Sequence, residues 1–286
     1  MRAYLAVTKP RLVILLVYVA LVSGWLTSLG EPAPRYGVGL LLGVLAVTLA
    51  SMGANAITCY LDRDLDRVMV RTMHRPIPQG RIRPPEKALH LGLGLALAGV
   101  AASLATGHPW STFWLVLGLV DNILVYSLWL KRRSIWNVLA GAPSGGFTAL
   151  VASSAITGRF VDPAGLLLCA LVVVWTPLHI WSLALRYRDD YRRAGVPMLP
   201  AVFSVEVSSR CLAAASFLLL GFSALLISSV RVGLPFLVSA VAVQAGLLVL
   251  ALAVMLRPTE RRVWLLFKYS SPYLAILSTL LALGYF

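Results

Sequence analysis

Nine apolar runs divide the chain, and each is long enough to cross a bilayer as a helix. They fall at roughly 12–29, 38–61, 88–106, 112–130, 135–157, 164–186, 211–230, 233–256 and 269–286. Backbone groups in hydrocarbon must find their hydrogen bonds inside the segment, so these runs are expected to be helices. Alternating ten-residue strands, the pattern of a membrane barrel, are absent. Two of the runs, the second and the sixth, finish in clusters of Asp and Arg and are followed by proline-containing polar loops. They lie four spans apart. The pattern therefore predicts an all-α polytopic membrane protein of nine transmembrane helices, two four-helix halves plus a ninth helix, forming one domain over 1–286.

Composition agrees with the pattern. The chain is 59% hydrophobic, with a mean hydropathy of +0.84, and a soluble domain of 286 residues would need far more polar surface. The first run is long, has no cleavage site at its end and begins a series, so it reads as a span and not as a removable leader. Cys59, Cys169 and Cys211 have no metal-ligand spacing and read as small buried hydrophobes.

Charge adds orientation. Of the 25 Lys and Arg residues, 22 fall on one side of the predicted spans. The other side has only Arg35, Arg159 and Arg231. Excess positive charge marks the cytoplasmic face, so the N-terminus is expected in the cytoplasm and the C-terminus outside, in the plasma membrane. The net charge of +14 is thus a topology signal. Nucleic acid is excluded as a partner, because the charges alternate with spans and no reader motif is present.

The acidic residues narrow the chemistry. There are only eleven, and three of them (Asp62, Asp64 and Asp66) sit together where the second span ends, in NAITCYLDRDLDRVMVRTMHRPIPQG. At about 100° per residue, Asp62 and Asp66 share a face with Asn55 two turns deeper, and Asp64 points to the far side. Paired carboxylates repel unless a cation lies between them. Hard oxygen ligands suit Mg2+, which keeps waters and binds substrate phosphates, and nearby arginines can take the remaining phosphate charge. The same arithmetic on the sixth span places His179, Arg186 and Asp190 on one face, with Asp189 about 80° away. That face is either a facing half-site or an edge salt-bridge network. The basic TKPR at 8–11 is either a topology anchor or a phosphate contact. The small-residue run GAPSGG at 141–146 is either a close helix contact or a gap left for a long or flat ligand.

A metal-held diphosphate beside such a gap suggests a lipid-tailed diphosphate, ionised with electrostatic help to the leaving group. Tyr60, Trp175, Trp181 and Tyr187 are candidate aromatic faces for the resulting cation. A carrier is the reading from another class, with Asn55 and His179 marking an ion path. Clustering of the carboxylates at one edge argues against it.

The stretch DRDLDRVMVRTMHRPIPQGRI resembles the first aspartate-rich motif of the UbiA superfamily of intramembrane prenyltransferases. Within it, TKPR at 8–11, YSLWLKRRSIWNVLAGAPSG at 126–145 and WTPLHIWSLALRYRDDYRRAGVPMLP at 175–200 look most like the branch that farnesylates protoheme IX. The resemblance implies Mg2+-dependent transfer of farnesyl from farnesyl diphosphate to a vinyl group of heme b, giving heme O. Other branches use aromatic quinone precursors or glycerol phosphate lipids. By resemblance, Asp62, Asp66, Asp189 and Asp190 are metal ligands, with Asp62, Asp66, Asp190 and His179 catalytic. Lys9, Asn55, Thr58, Arg71, Arg75, Tyr126, Lys131, Arg132, Asn137, Trp181, Arg186 and Asp189 are the implied substrate contacts. Membrane lipid and other membrane proteins of the heme pathway are the implied partners. One departure stands out: the superfamily usually has Asn where this chain has Thr58.

Overall fold

The computed structural model describes residues 1–29, 36–229 and 233–284. The outer loop 30–34, Arg35, Arg231 and the last two residues therefore lie outside the described residues. Among the described residues, nine helices are long and apolar enough to cross a membrane, and there is no strand. The chain is an all-helical, multi-pass membrane protein.

A short helix α1 (Arg2–Val7) precedes the first span, α2 (Pro10–Ser28). The second span, α3 (Tyr36–Leu61), runs into a six-residue helix α4 (Arg63–Val68). Then come α5 (Glu86–Leu104) and α6 (Pro109–Val120), which continues as a π-helix over Asp121–Leu130. The spans α7 (Asn137–Thr157) and α8 (Pro163–Arg186) follow. A second six-residue helix α9 (Arg188–Arg193) and a single turn α10 (Leu199–Val202) lead to α11 (Val205–Ser228), α12 (Leu234–Leu256) and α13 (Glu260–Leu283).

The seventh and ninth spans begin several residues before their apolar runs, and the reason is capping. Ser204 accepts the Val207 N–H and Thr259 accepts the Arg262 N–H, so each helix starts at a polar cap and carries a glutamate in its first turn. Asp162 caps α8 in the same way, taking the N–H groups of Ala164 and Gly165 at 3.0 and 3.4 Å.

Neighbours in sequence pack as neighbours in space. The helices α2, α7, α8 and α13 form the centre, and the fourth span, Pro109–Leu130, is turned most to lipid. The ring closes where Tyr18 of α2 donates to the Ala275 carbonyl of α13 at 3.2 Å. The tightest seam joins α3 to α5. A Cβ added to Gly53 would lie 2.6 Å from the Gly92 carbonyl oxygen, so the two backbones touch and only glycine fits. The expected repeat is visible as two long helices, α3 and α8, each broken at its basic end and followed by a six-residue acidic–basic helix.

Candidate active site

The helix carrying the first aspartates breaks at Asp62 (φ −90°, ψ 5°), but its hydrogen bonds persist: Asp62 N–H to Thr58 at 2.9 Å and Asp66 N–H to Asp62 at 2.8 Å. The phase is therefore kept. Asp62 and Asp66 are both buried, at 5% and 3% exposure, and Asp64 faces out. Lys131 binds one oxygen of Asp62, and Arg75 reaches both oxygens of Asp66 at 2.8 Å. Burial works against the Lys131 ammonium, but Asp62 outweighs it and lifts the pKa above its ordinary value. Asp62 Oδ1 is buried with no hydrogen-bond partner among the described residues. Lys9 sits beside this group in the left-handed region, φ 49°, ψ 58°. Among the described residues its ammonium makes no ion pair; burial holds its pKa below the ordinary value, partly offset by the attraction of Cys59 and Asp62.

The loop 69–85 folds back over the site. Ile77 and Ile82 anchor it in a small apolar cluster with Val7, Ala56, Cys59 and Ala88. Its other anchor is Asp190, which is buried and accepts the N–H groups of Val70 at 3.2 Å and Arg71 at 2.9 Å, and also binds Arg193.

Two expected placements need correction. His179, Arg186 and Asp190 do not share a face, because α8 ends at Arg186 and Tyr187 (φ −112°, ψ 30°) turns the chain into α9. Asp190 is engaged as a clamp on the loop, and Asp189 is exposed, 3.9 Å from Arg192, so among the described residues neither carboxylate is grouped with Asp62 and Asp66. Arg186 pairs outward with Glu260. Arg132 likewise turns away, bidentate to exposed Asp64 at 2.6 and 2.7 Å, and leaves the inner carboxylate Asp62 to Lys131. Among the described residues, no three of His, Cys, Asp and Glu converge.

The Asp190 clamp gives a pH prediction. Burial would raise its pKa, but the bonds from the Arg71 N–H, Arg193 and the Val70 N–H outweigh that and hold it below the ordinary 3.8. Its contribution is then full above the unfolded value and fades as pH falls through the folded one. Asp190→Ala is expected to cost about 1 kcal/mol at neutral pH, since two part-buried N–H groups lose a charged acceptor. Thermal unfolding in detergent, followed from pH 7 down to acid, should show the gap between variant and wild type closing below about pH 4; a gap independent of pH refutes the clamp.

Behind the ion pairs lies a cavity of about 600 Å³. Asn55, Tyr126 and His179 line it one to two turns in from the basic end; Trp114, Phe147 and Val151 line its far end. Trp114 is fixed there by its Nε1–H to the Phe160 carbonyl at 2.7 Å and by stacking on Phe160 at 4.9 Å. The small-residue run does both of its expected jobs. Gly146 meets α8, where an added Cβ would lie 2.7 Å from the Cys169 carbonyl oxygen, and Gly141, Ala142, Ser144 and Gly145 line the cavity.

A family model described as the UbiA prenyltransferase family matches residues 16–277. The chain belongs to that family. It is 44% identical over 278 residues to a protoheme IX farnesyltransferase of Desulforudis audaxviator, covering 96% of this chain and 86% of that protein. It is 37% identical over 278 residues to one of Thermoplasma acidophilum, covering 97% and 95%. Among solved structures, a digeranylgeranylglyceryl phosphate synthase is similar with a TM-score of 0.77 at 16% identity, covering 99% of this chain and 98% of that one. A UbiA homolog from Archaeoglobus fulgidus bound to DMAPP and Mg2+ is similar with a TM-score of 0.68 at 16% identity, over 98% and 99%. The UbiA fold is thus common to proteins far apart in sequence, and this chain is a prenyltransferase.

The remaining residues fall into place in this UbiA bundle. Thr58 Oγ1 donates to the Asn55 carbonyl at 3.1 Å, within its own helix. Asn55 lines the cavity. Asn137 is fully buried and held to the Ser134 carbonyl at 2.7 Å, with Oδ1 unpartnered. Trp181 is buried behind the cavity wall. Arg71 lies 5.5 Å over the Tyr187 ring and Arg63 4.2 Å over Tyr60, so one face of each tyrosine already holds a cation. Of the four aromatics expected to face a cation, Trp175 is the one that lines the cavity. His179 is stacked between Trp175 at 4.4 Å and Phe267 at 4.6 Å, with Nδ1 on Ser270 Oγ at 2.7 Å. Sequence reasoning missed Phe267 and Ser270, since the ninth span carried no motif. It also missed Asp121, a carboxylate inside an apolar run.

Proposed function

We propose that this UbiA enzyme transfers a farnesyl group from farnesyl diphosphate to a vinyl group of protoheme IX, giving heme O. The observation that carries the reading is the pair of buried carboxylates, Asp62 with Lys131 and Asp66 with Arg75, at the mouth of a long apolar cavity. The names of relatives at 44% and 37% identity support heme b as the acceptor. His179, with one ring nitrogen fixed by Ser270 and the ring lining the cavity, supports a role on the acceptor side.

The residues fit Mg2+. The orphaned Oδ1 of Asp62 needs a cationic partner, and two carboxylates without a third ligand residue leave room for waters and substrate oxygens, which Mg2+ favours. Asp62 and Asp66 would hold it, and when bound it supplies positive charge against the leaving diphosphate. Lys9, Arg71, Arg75 and Lys131 would carry the rest of that charge. Lys131 and Arg75 are already ion-paired to these carboxylates, so diphosphate entry would be an exchange of partners that leaves no bare charge in a low-dielectric site. As the allylic carbon–oxygen bond breaks, the carbon bonds the terminal vinyl carbon. Water adds its oxygen to the other vinyl carbon and releases a proton. Trp175 and Tyr126 give the cation π faces, and the apolar walls keep stray water from quenching it.

In this reading the basic end of the bundle faces the cytoplasm of the plasma membrane, the C-terminus lies outside, and the chain works as one domain. Purified protein in detergent with heme b, farnesyl diphosphate and Mg2+ should yield a product of the mass of heme O, and none with EDTA. Prenylation of a quinone precursor without any heme O overturns the acceptor assignment.

A further inference from the structure

The fourth span carries a carboxylate that the proposed chemistry leaves unused. Asp121 is buried within the membrane segment, where a carboxyl without a purpose is costly. Its one hydrogen bond among the described residues is accepted by Oδ2 from the Ser144 backbone N–H, at 3.0 Å. Ser144 directly follows Pro143, the proline inside α7. Proline disrupts the ladder around it, and in lipid each freed backbone group needs another partner. Asp121 is the partner for the Ser144 N–H.

Asp121 is also the first residue of the π-helix Asp121–Leu130. In α winding, residues five apart lie about 140° apart; in π winding, at roughly 80° per residue, they lie about 40° apart. Asp121, Tyr126 and Lys131 are spaced by fives. The π winding therefore turns Asp121 and Tyr126 to α7 together, and brings Lys131 toward the Tyr126 side. The contacts agree. Asp121 meets Ser144. Tyr126 packs where Gly141 has no Cβ, an added one lying 2.8 Å from Tyr126 Cδ2. Lys131 Nζ is 5.8 Å from the Tyr126 ring centre while bound to Asp62.

We propose that Asp121 is a positioning residue: by accepting the Ser144 N–H freed at Pro143, it locks the π-wound segment against α7 and so aims Tyr126 and Lys131 at Asp62. The proposal rests on reading Asp62 and Lys131 as the diphosphate site.

The test is equilibrium binding of inorganic diphosphate with Mg2+ to the purified protein, beside KM for the prenyl diphosphate. Asp121→Leu is expected to weaken diphosphate binding and raise that KM about tenfold, with the acceptor KM unchanged. Asp121→Asn keeps an acceptor oxygen and should bind as wild type does. Pro143→Ala lets the Ser144 N–H return to the helix ladder, so in that background Asp121→Leu should cost less than about threefold. A general packing role would be rescued by neither change. Equal affinity in Asp121→Leu and wild type overturns the proposal, as does Asp121→Asn failing as badly as Asp121→Leu. If Asp121→Leu does not fold, the Pro143→Ala double variant and Asp121→Asn decide: loss of binding in either overturns it. Wild-type protein that binds no diphosphate at all instead overturns the reading of the site.

Discussion

Asp62→Asn is expected to lower kcat by about 10²–10³-fold with saturating substrates and Mg2+, in protein that still folds. Asparagine keeps the size of the side chain and an oxygen for Lys131, so the loss isolates the charge on the carboxylate. That charge matters twice. It balances Lys131, and its second oxygen is buried and unpartnered, so on the proposed reading it is the oxygen a metal would take. Asp64→Asn is the matched control. It removes a carboxylate two residues away that binds only Arg132 on the outer surface, and exposed pairs contribute little. Single-turnover rates for both variants, with size-exclusion profiles, settle the matter; activity of Asp62→Asn within tenfold of wild type would sink the assignment.

The second large effect concerns chain length. From Val138 to Val151 the cavity follows thirteen residues of α7, about 20 Å of helix, which must hold the head-group end as well as the tail. An extended chain advances about 1.3 Å per carbon–carbon bond, so three isoprene units of four main-chain carbons reach about 15 Å and four reach about 20 Å. Trp114 and Phe147 close the far end, with ring centroids 5.2 Å apart. Trp114→Ala should therefore move the ratio of kcat/KM for geranylgeranyl over farnesyl diphosphate upward by about tenfold or more. Removing a buried tryptophan can also cost about 3–5 kcal/mol of stability. Trp114→Leu is the milder companion and should shift the ratio in the same direction. An unchanged ratio in a folded variant would show that the tail does not end there.

Much of this was legible in the chain. Length and hydropathy located all nine spans, because a bilayer demands long apolar helices whatever their neighbours. Phase singled out Asp62 and Asp66 over Asp64, because hydrogen bonding carries through the break at Asp62. The same arithmetic failed on the sixth span. Nothing local to RYRDDYRR announces that Tyr187 stops the helix, and what holds Asp190 is the backbone of residues 70 and 71, more than a hundred positions away. It would have failed on the fourth span too, where uniform α winding puts Lys131 on the wrong side of Tyr126. Arg132 illustrates a further limit: two adjacent cations, Lys131 and Arg132, separate to inner and outer carboxylates according to the direction of their side chains, which composition does not encode.

The glycine seam has a mechanical consequence. Where α3 and α5 meet at Gly53 and Gly92 there is no side chain to compress or re-rotamer, and a backbone contact has no soft degree of freedom. This pair therefore behaves as a strut, and it carries Asp62 at one end of α3. Any breathing that admits a bulky lipid would then be taken up across the bundle, where the chain turns at Tyr187 and is joined to the loop by Asp190 and by Arg71 over the Tyr187 ring.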